Sequence, residues 1–77
     1  MELDLYQALK TKNDYLQKQN DIIKKLYLLH SIDTSKLSAF EKGTVDADIS
    51  MWKSLLAQNE EDLELWQGYI DSQMNNL

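Results

Sequence analysis

Residues 60–64, Glu-Glu-Asp-Leu-Glu, place four carboxylates within five positions. Carboxylate groups of this kind serve glycoside hydrolysis and hard-cation binding. On a helix, Glu60, Glu61 and Glu64 point outward together, which makes a solvated acidic face or a docking patch for a basic partner. Hydrolysis needs two carboxyls facing each other across a concave site, and two long helices supply no such wall. Asp46-Ala-Asp48-Ile-Ser50 has the acid spacing that opens a calcium loop. Such a loop needs glycine at its sixth position and an acid at its twelfth, where Met51 and Ala57 stand. His30 is the only histidine. It closes a helical pattern, where an imidazole meets the last carbonyls and the negative end of the helix dipole. Asp33 is its nearest carboxylate, and the spacing matches no metal-ligand set.

Lys12, Gln19 and Asn59 are polar residues inside otherwise apolar helical faces. A Lys12–Asp62 pair doing proton chemistry would need a cleft and a second base, and neither is present. The reading that fits is structural: polar side chains at seam positions set register and partner number. The absence of cysteine excludes disulfides and thiolate metal sites, and two glycines leave no phosphate-cradling loop. The expectation is therefore a non-enzymatic protein with no cofactor and no metal.

The elements that carry these residues follow from periodicity. From Asp4, with Gln7 three residues on as a capping-box partner, Leu5, Ala8, Leu9, Tyr15, Leu16, Ile22, Ile23, Leu26 and Leu29 share one broad face at 100° per residue. This predicts a helix over 4–30. Ile49, Leu56, Leu63, Ile70 and Leu77 recur every seven residues, as do Val45, Trp52, Asn59, Trp66 and Gln73. That is an a/d heptad seam. It predicts a helix over 45–74, with Thr44 as N-cap, Gly43 as the break, and Asp46 and Asp48 in the favourable first turn. The connector at 31–43 holds the turn formers Ser31–Ser35 and a short helix over 36–42. One continuous helix from about 35 is the alternative, because glycine inside a helix costs only ~1 kcal/mol.

Two helices of matched length predict an all-α fold, an antiparallel hairpin in one domain over 1–77. With Leu26 opposite Ile49, Lys12 comes within reach of Asp62, and Leu16 stands level with Asn59. Ala47, Met51, Leu55, Leu65 and Tyr69 widen the apolar stripe of the second helix beyond what one partner helix covers. A second copy of the chain, completing a four-helix bundle, is the expected cover. Met51, Trp52, Leu55, Leu63, Trp66, Tyr69 and Ile70 are the candidate self-association or partner interface, because Trp, Tyr and Met are favoured at interface cores.

Composition narrows the partners. All eight basic residues are lysines and the net charge is −5, which argues against nucleic-acid binding. The longest apolar run, Leu26–Leu29, is far below the ~20 residues of a membrane span. The N-terminus lacks the pattern of a signal peptide, so the expected location is the cytoplasm. Residues 1–30 carry five lysines and four acids, and residues 31–77 three lysines and nine acids. The charge is therefore directional, +1 against −6. Arginine-free, lysine- and asparagine-rich usage suggests an A/T-rich bacterial or phage genome. The functional expectation is a small regulator, adaptor or inhibitor that binds a larger protein and itself. The alternatives are a structural assembly or chaperone-like subunit, and an acidic nucleic-acid mimic.

Overall fold

The structure is a computed structural model that describes residues 5–76. Its elements are α1 (Leu5–His30), a 3-10 turn (Thr34–Lys36) and α2 (Ala39–Asn75), with no strand among the described residues. The Asp4 cap and the Leu77 seam position lie outside the described residues.

α1 ends where the pattern predicts, as Ser31 turns back onto the helix through its amide and hydroxyl, both bonded to the Tyr27 carbonyl. The connector is shorter than expected, and the short helix at 36–42 does not exist as a separate element. Residues 39–42 are instead the first turn of a 37-residue α2. Ser38, and not Thr44, is its N-cap. The Ser38 hydroxyl accepts from the Glu41 amide at 3.2 Å, and the Glu41 carboxylate accepts from the Ser38 amide at 3.2 Å. This reciprocal capping box fixes the start. Gly43 is therefore interior to the helix, and Thr44 returns its hydroxyl to the Phe40 carbonyl. One strong cap outweighs the ~1 kcal/mol that glycine costs in mid-helix.

Both helices carry a seam with alternating three- and four-residue spacing. On α1 it runs Leu5, Ala8, Lys12, Tyr15, Gln19, Ile22, Leu26, Leu29. On α2 it runs Val45, Ile49, Trp52, Leu56, Asn59, Leu63, Trp66, Ile70, Gln73. Each of these residues is buried or half-buried, so the heptad read from α2 holds at every described position. The α1 face is narrower than expected. Leu9, Leu16 and Ile23 stay 46, 40 and 48% exposed, because an α2 partner covers only a two-position seam.

Contacts along the seam run in opposite directions on the two helices. The Asn59 amide donates to the Tyr15 carbonyl at 3.1 Å. Lys12 donates to the Gln67 side chain. At the far end, Leu29 shares a cleft with Val45 and Ile49. Residue numbers rise on α1 as they fall on α2. The molecule is correspondingly long and thin, 58 × 18 × 14 Å, with a Cα radius of gyration of 17.6 Å. A compact chain of this length has a radius of about 11.5 Å.

Candidate interaction surface

Glu60, Glu61 and Glu64 are all exposed on α2. Asp62 is half-buried and accepts from the Gln58 side chain at 3.1 Å. The expected Lys12–Asp62 pairing is replaced by Lys12–Gln67, and the expected Leu16–Asn59 level by Tyr15–Asn59. Gln67, one turn beyond Leu63, reaches toward Lys12 while its own amide donates to Asp71 at 2.8 Å. Among the described residues no three His, Cys, Asp or Glu side chains come together as a metal set. His30 is exposed in the last turn of α1, in an open cleft with Leu29, Thr34, Val45, Asp46 and Lys53.

Of the three residues read as register-setting, Lys12 and Gln19 are half-buried and Asn59 is 2% exposed. The Asn59 Nδ2 has the Tyr15 carbonyl, while its Oδ1 is buried with no hydrogen-bond partner. A buried acceptor left unpaired costs about 1–3 kcal/mol. The unpaired Asn59 acceptor is therefore a local cost at the middle of the seam.

The residues read as an interface divide into two sets. Trp52, Leu63 and Trp66 are half-buried in the α1–α2 seam, and Ile70 is buried there. They are core, because they occupy the heptad positions that α1 covers. Met51 and Leu55 face outward, as does Leu65 beside them, and Tyr69 is half-buried with its ring edge-on to Trp66 at 5.9 Å. This outward row borders the acidic face at Glu61.

A second outward row lies on α1, in residues that the periodicity had assigned to the core or left unused. It runs Tyr6, Leu9, Asn13, Leu16, Asn20, Ile23, Tyr27, and every member is exposed. The two rows flank the seam on opposite sides. Leu9, Leu16, Ile23 and His30 form one line with seven-residue spacing, and His30 shares its cleft with Asp46 and Lys53. Asp46 and Lys53 begin the α2 line that continues through Glu60 and Gln67. The Leu55–Asp62–Tyr69 line runs along the other edge of α2. A signal for the α1 row is present in the sequence: a second three–four series, free of charge, beside the first.

No helix among the described residues is long and apolar enough to cross a membrane. The chain matches no protein-family model, and comparisons with curated proteins and with solved structures returned no match.

Proposed function

We propose that this chain is a small non-catalytic protein–protein interaction module. In this reading it is a helical hairpin that dimerises toward a four-helix bundle and acts as a regulator, adaptor or inhibitor of a larger protein. The supporting observation is one of area. The chain keeps 6007 Å² of accessible surface at 9.0 kDa. A globular monomer of that mass exposes about 4,900 Å². The surplus of roughly 1,100 Å² exceeds the ~800 Å² that each partner commits to a standard interface. Tyr6, Leu9, Leu16, Ile23 and Tyr27 of the α1 row and Met51, Leu55 and Leu65 of the α2 row are among the chain's exposed apolar residues, with Leu28 and Phe40 exposed outside the rows. The α2 row, with Met51, Leu55 and Leu65 next to Glu61, suits a partner surface that is apolar at its centre and basic at its rim.

The test is position-resolved photo-crosslinking in a native lysate, with a photoreactive side chain placed at Leu65, at Glu61 or, as reference, at Lys36 in the connector. Adducts of one defined size at Leu65 and Glu61, absent at Lys36, support the reading. Equal or absent labelling at all three contradicts it. A structural-assembly role is the second reading, favoured by the placement of the two rows on opposite faces, which lets one chain touch two neighbours. Assembly that grows beyond a dimer with concentration would mark it.

A further inference from the structure

We infer that the outward row of α1 is a self-recognition surface: a second copy of this chain packs on it antiparallel, about a two-fold axis passing at Leu16. The inference rests on the protein-contact reading above and names one partner within it.

The row is close to its own mirror image. Leu9 and Ile23 stand seven residues on either side of Leu16. Between them lie Asn13 and Asn20, and outside them Tyr6 and Tyr27. Turned end to end, one copy sets Leu16 against Leu16 and Leu9 against Ile23, and brings Tyr6 to Tyr27 and Asn13 to Asn20 within one residue, about 1.5 Å, of level. Such matching is what an isologous interface requires, since each contact occurs twice by symmetry. The three–four spacing is that of a coiled-coil seam, and the two Asn13–Asn20 amide pairs would select this register over a slipped one. None of the seven charged residues of α1, Lys10, Lys12, Asp14, Lys18, Asp21, Lys24 and Lys25, falls in the row. The contact spans about 32 Å at 1.5 Å per residue, and the surplus area per chain is sufficient to supply it.

Charge separates this arrangement from a head-to-tail one. Stacking the lysine-rich α1 on the acidic α2 of a neighbour would be attractive and would weaken as salt is added. The two-fold contact instead brings together two chains of charge −5, with Lys10 and Lys24 flanking the row on both copies. Screening relieves that repulsion, so the dimer tightens with salt.

The chain contains no cysteine, so single cysteines report cleanly. Leu16→Cys should oxidise to a linked dimer on the order of 100-fold faster than Lys18→Cys, because thiols held in one complex see millimolar effective concentrations. Cross-linking of Leu16→Cys only when mixed with a Leu55→Cys chain would overturn the two-fold in favour of head-to-tail packing. A charge swap at the exposed Asn13 and Asn20 gives an independent check that spares the fold. Asn13→Lys with Asn20→Lys should sediment as a 9.0 kDa monomer, while Asn13→Lys with Asn20→Glu should restore the dimer. Identical masses for both variants would overturn the pairing. A chain that stays monomeric yet labels a partner through Leu65 would sink the second-copy inference and leave the protein-contact reading standing.

Discussion

Asn59 is the residue whose local cost is clearest. Its Oδ1 is sealed in the seam without a donor, and its Nδ2 serves a backbone carbonyl, that of Tyr15, which the helix already engages with its own amide. Asn59→Leu removes the unpaired acceptor and adds apolar burial, with the same side-chain branching and heavy-atom count. The expected outcome is a gain of about 1–2 kcal/mol, or roughly 5–10 °C in melting temperature for a domain of this size. Thermal unfolding by circular dichroism reads it, and a loss of stability would contradict the account of Asn59 as a register residue. Asp33 supplies the pH-sensitive contact. Its Oδ1 accepts from the Ser35 hydroxyl at 2.6 Å and the Ser35 amide at 3.0 Å. These bonds, the hydroxyl foremost, hold the carboxyl below its ordinary value. A carboxylate with a depressed pKa stabilises the folded form above its unfolded pKa of ~3.9, and that contribution fades as pH falls through the depressed value. The Ser35 amide resonance should therefore titrate with a midpoint below that of an unstructured aspartate, and Asp33→Asn should abolish the transition. A midpoint at or above the unstructured value would contradict the cap.

At the scale of elements, α2 tests how helix starts are chosen. Ser38→Ala removes the hydroxyl half of the capping box, the acceptor for the Glu41 amide, and should cost about 1 kcal/mol. Fraying should be confined to the first turns, as seen by amide exchange of residues 39–44. Gly43→Ala acts oppositely. A Cβ there meets nothing within 4 Å, so the substitution should stabilise by about 0.5–1 kcal/mol. Loss of stability on Gly43→Ala would mean that α2 does not run through this position. These same residues explain what the sequence could and could not reveal. The α2 seam was legible throughout, because a heptad needs only identity and spacing. The start of α2 was not, because Gly43 and Thr44 offered a plausible stop and cap while the Ser38–Glu41 box sat upstream of the first heptad residue. On α1 the error was one of width. Leu9, Leu16 and Ile23 are as apolar as Ile22 and Leu26, and periodicity alone cannot say how much of a broad face one partner helix will cover. Met51, Leu55 and the acids Glu60, Glu61 and Glu64 do face outward, whereas Trp52, Leu63, Trp66 and Ile70 were claimed by the seam.

The whole molecule is a rod 58 Å long whose two helices cover one stripe of each other and leave a second stripe on each helix open. Its stability in isolation is that of a thin core, with Ala8, Ile22, Leu29 and Ile70 as the buried apolar residues among those described. Association is the physical remedy for such a shape, because it removes apolar rows from water that the fold itself cannot reach. In the proposed dimer the charge division between the helices governs how association responds to salt, and the outward row of α2 stays open to the proposed protein partner. Sedimentation equilibrium across the micromolar range, on the wild-type chain and on Leu9→Gln/Leu16→Gln/Ile23→Gln, tests this most directly. Glutamine keeps helix propensity, so unchanged ellipticity would show that the variant remains folded. The account predicts a wild-type mass rising toward twice 9.0 kDa, more readily at higher salt, and a variant that stays at the monomer mass. A wild-type chain that remains monomeric at every concentration, or a variant that self-associates as the wild type does, would contradict it.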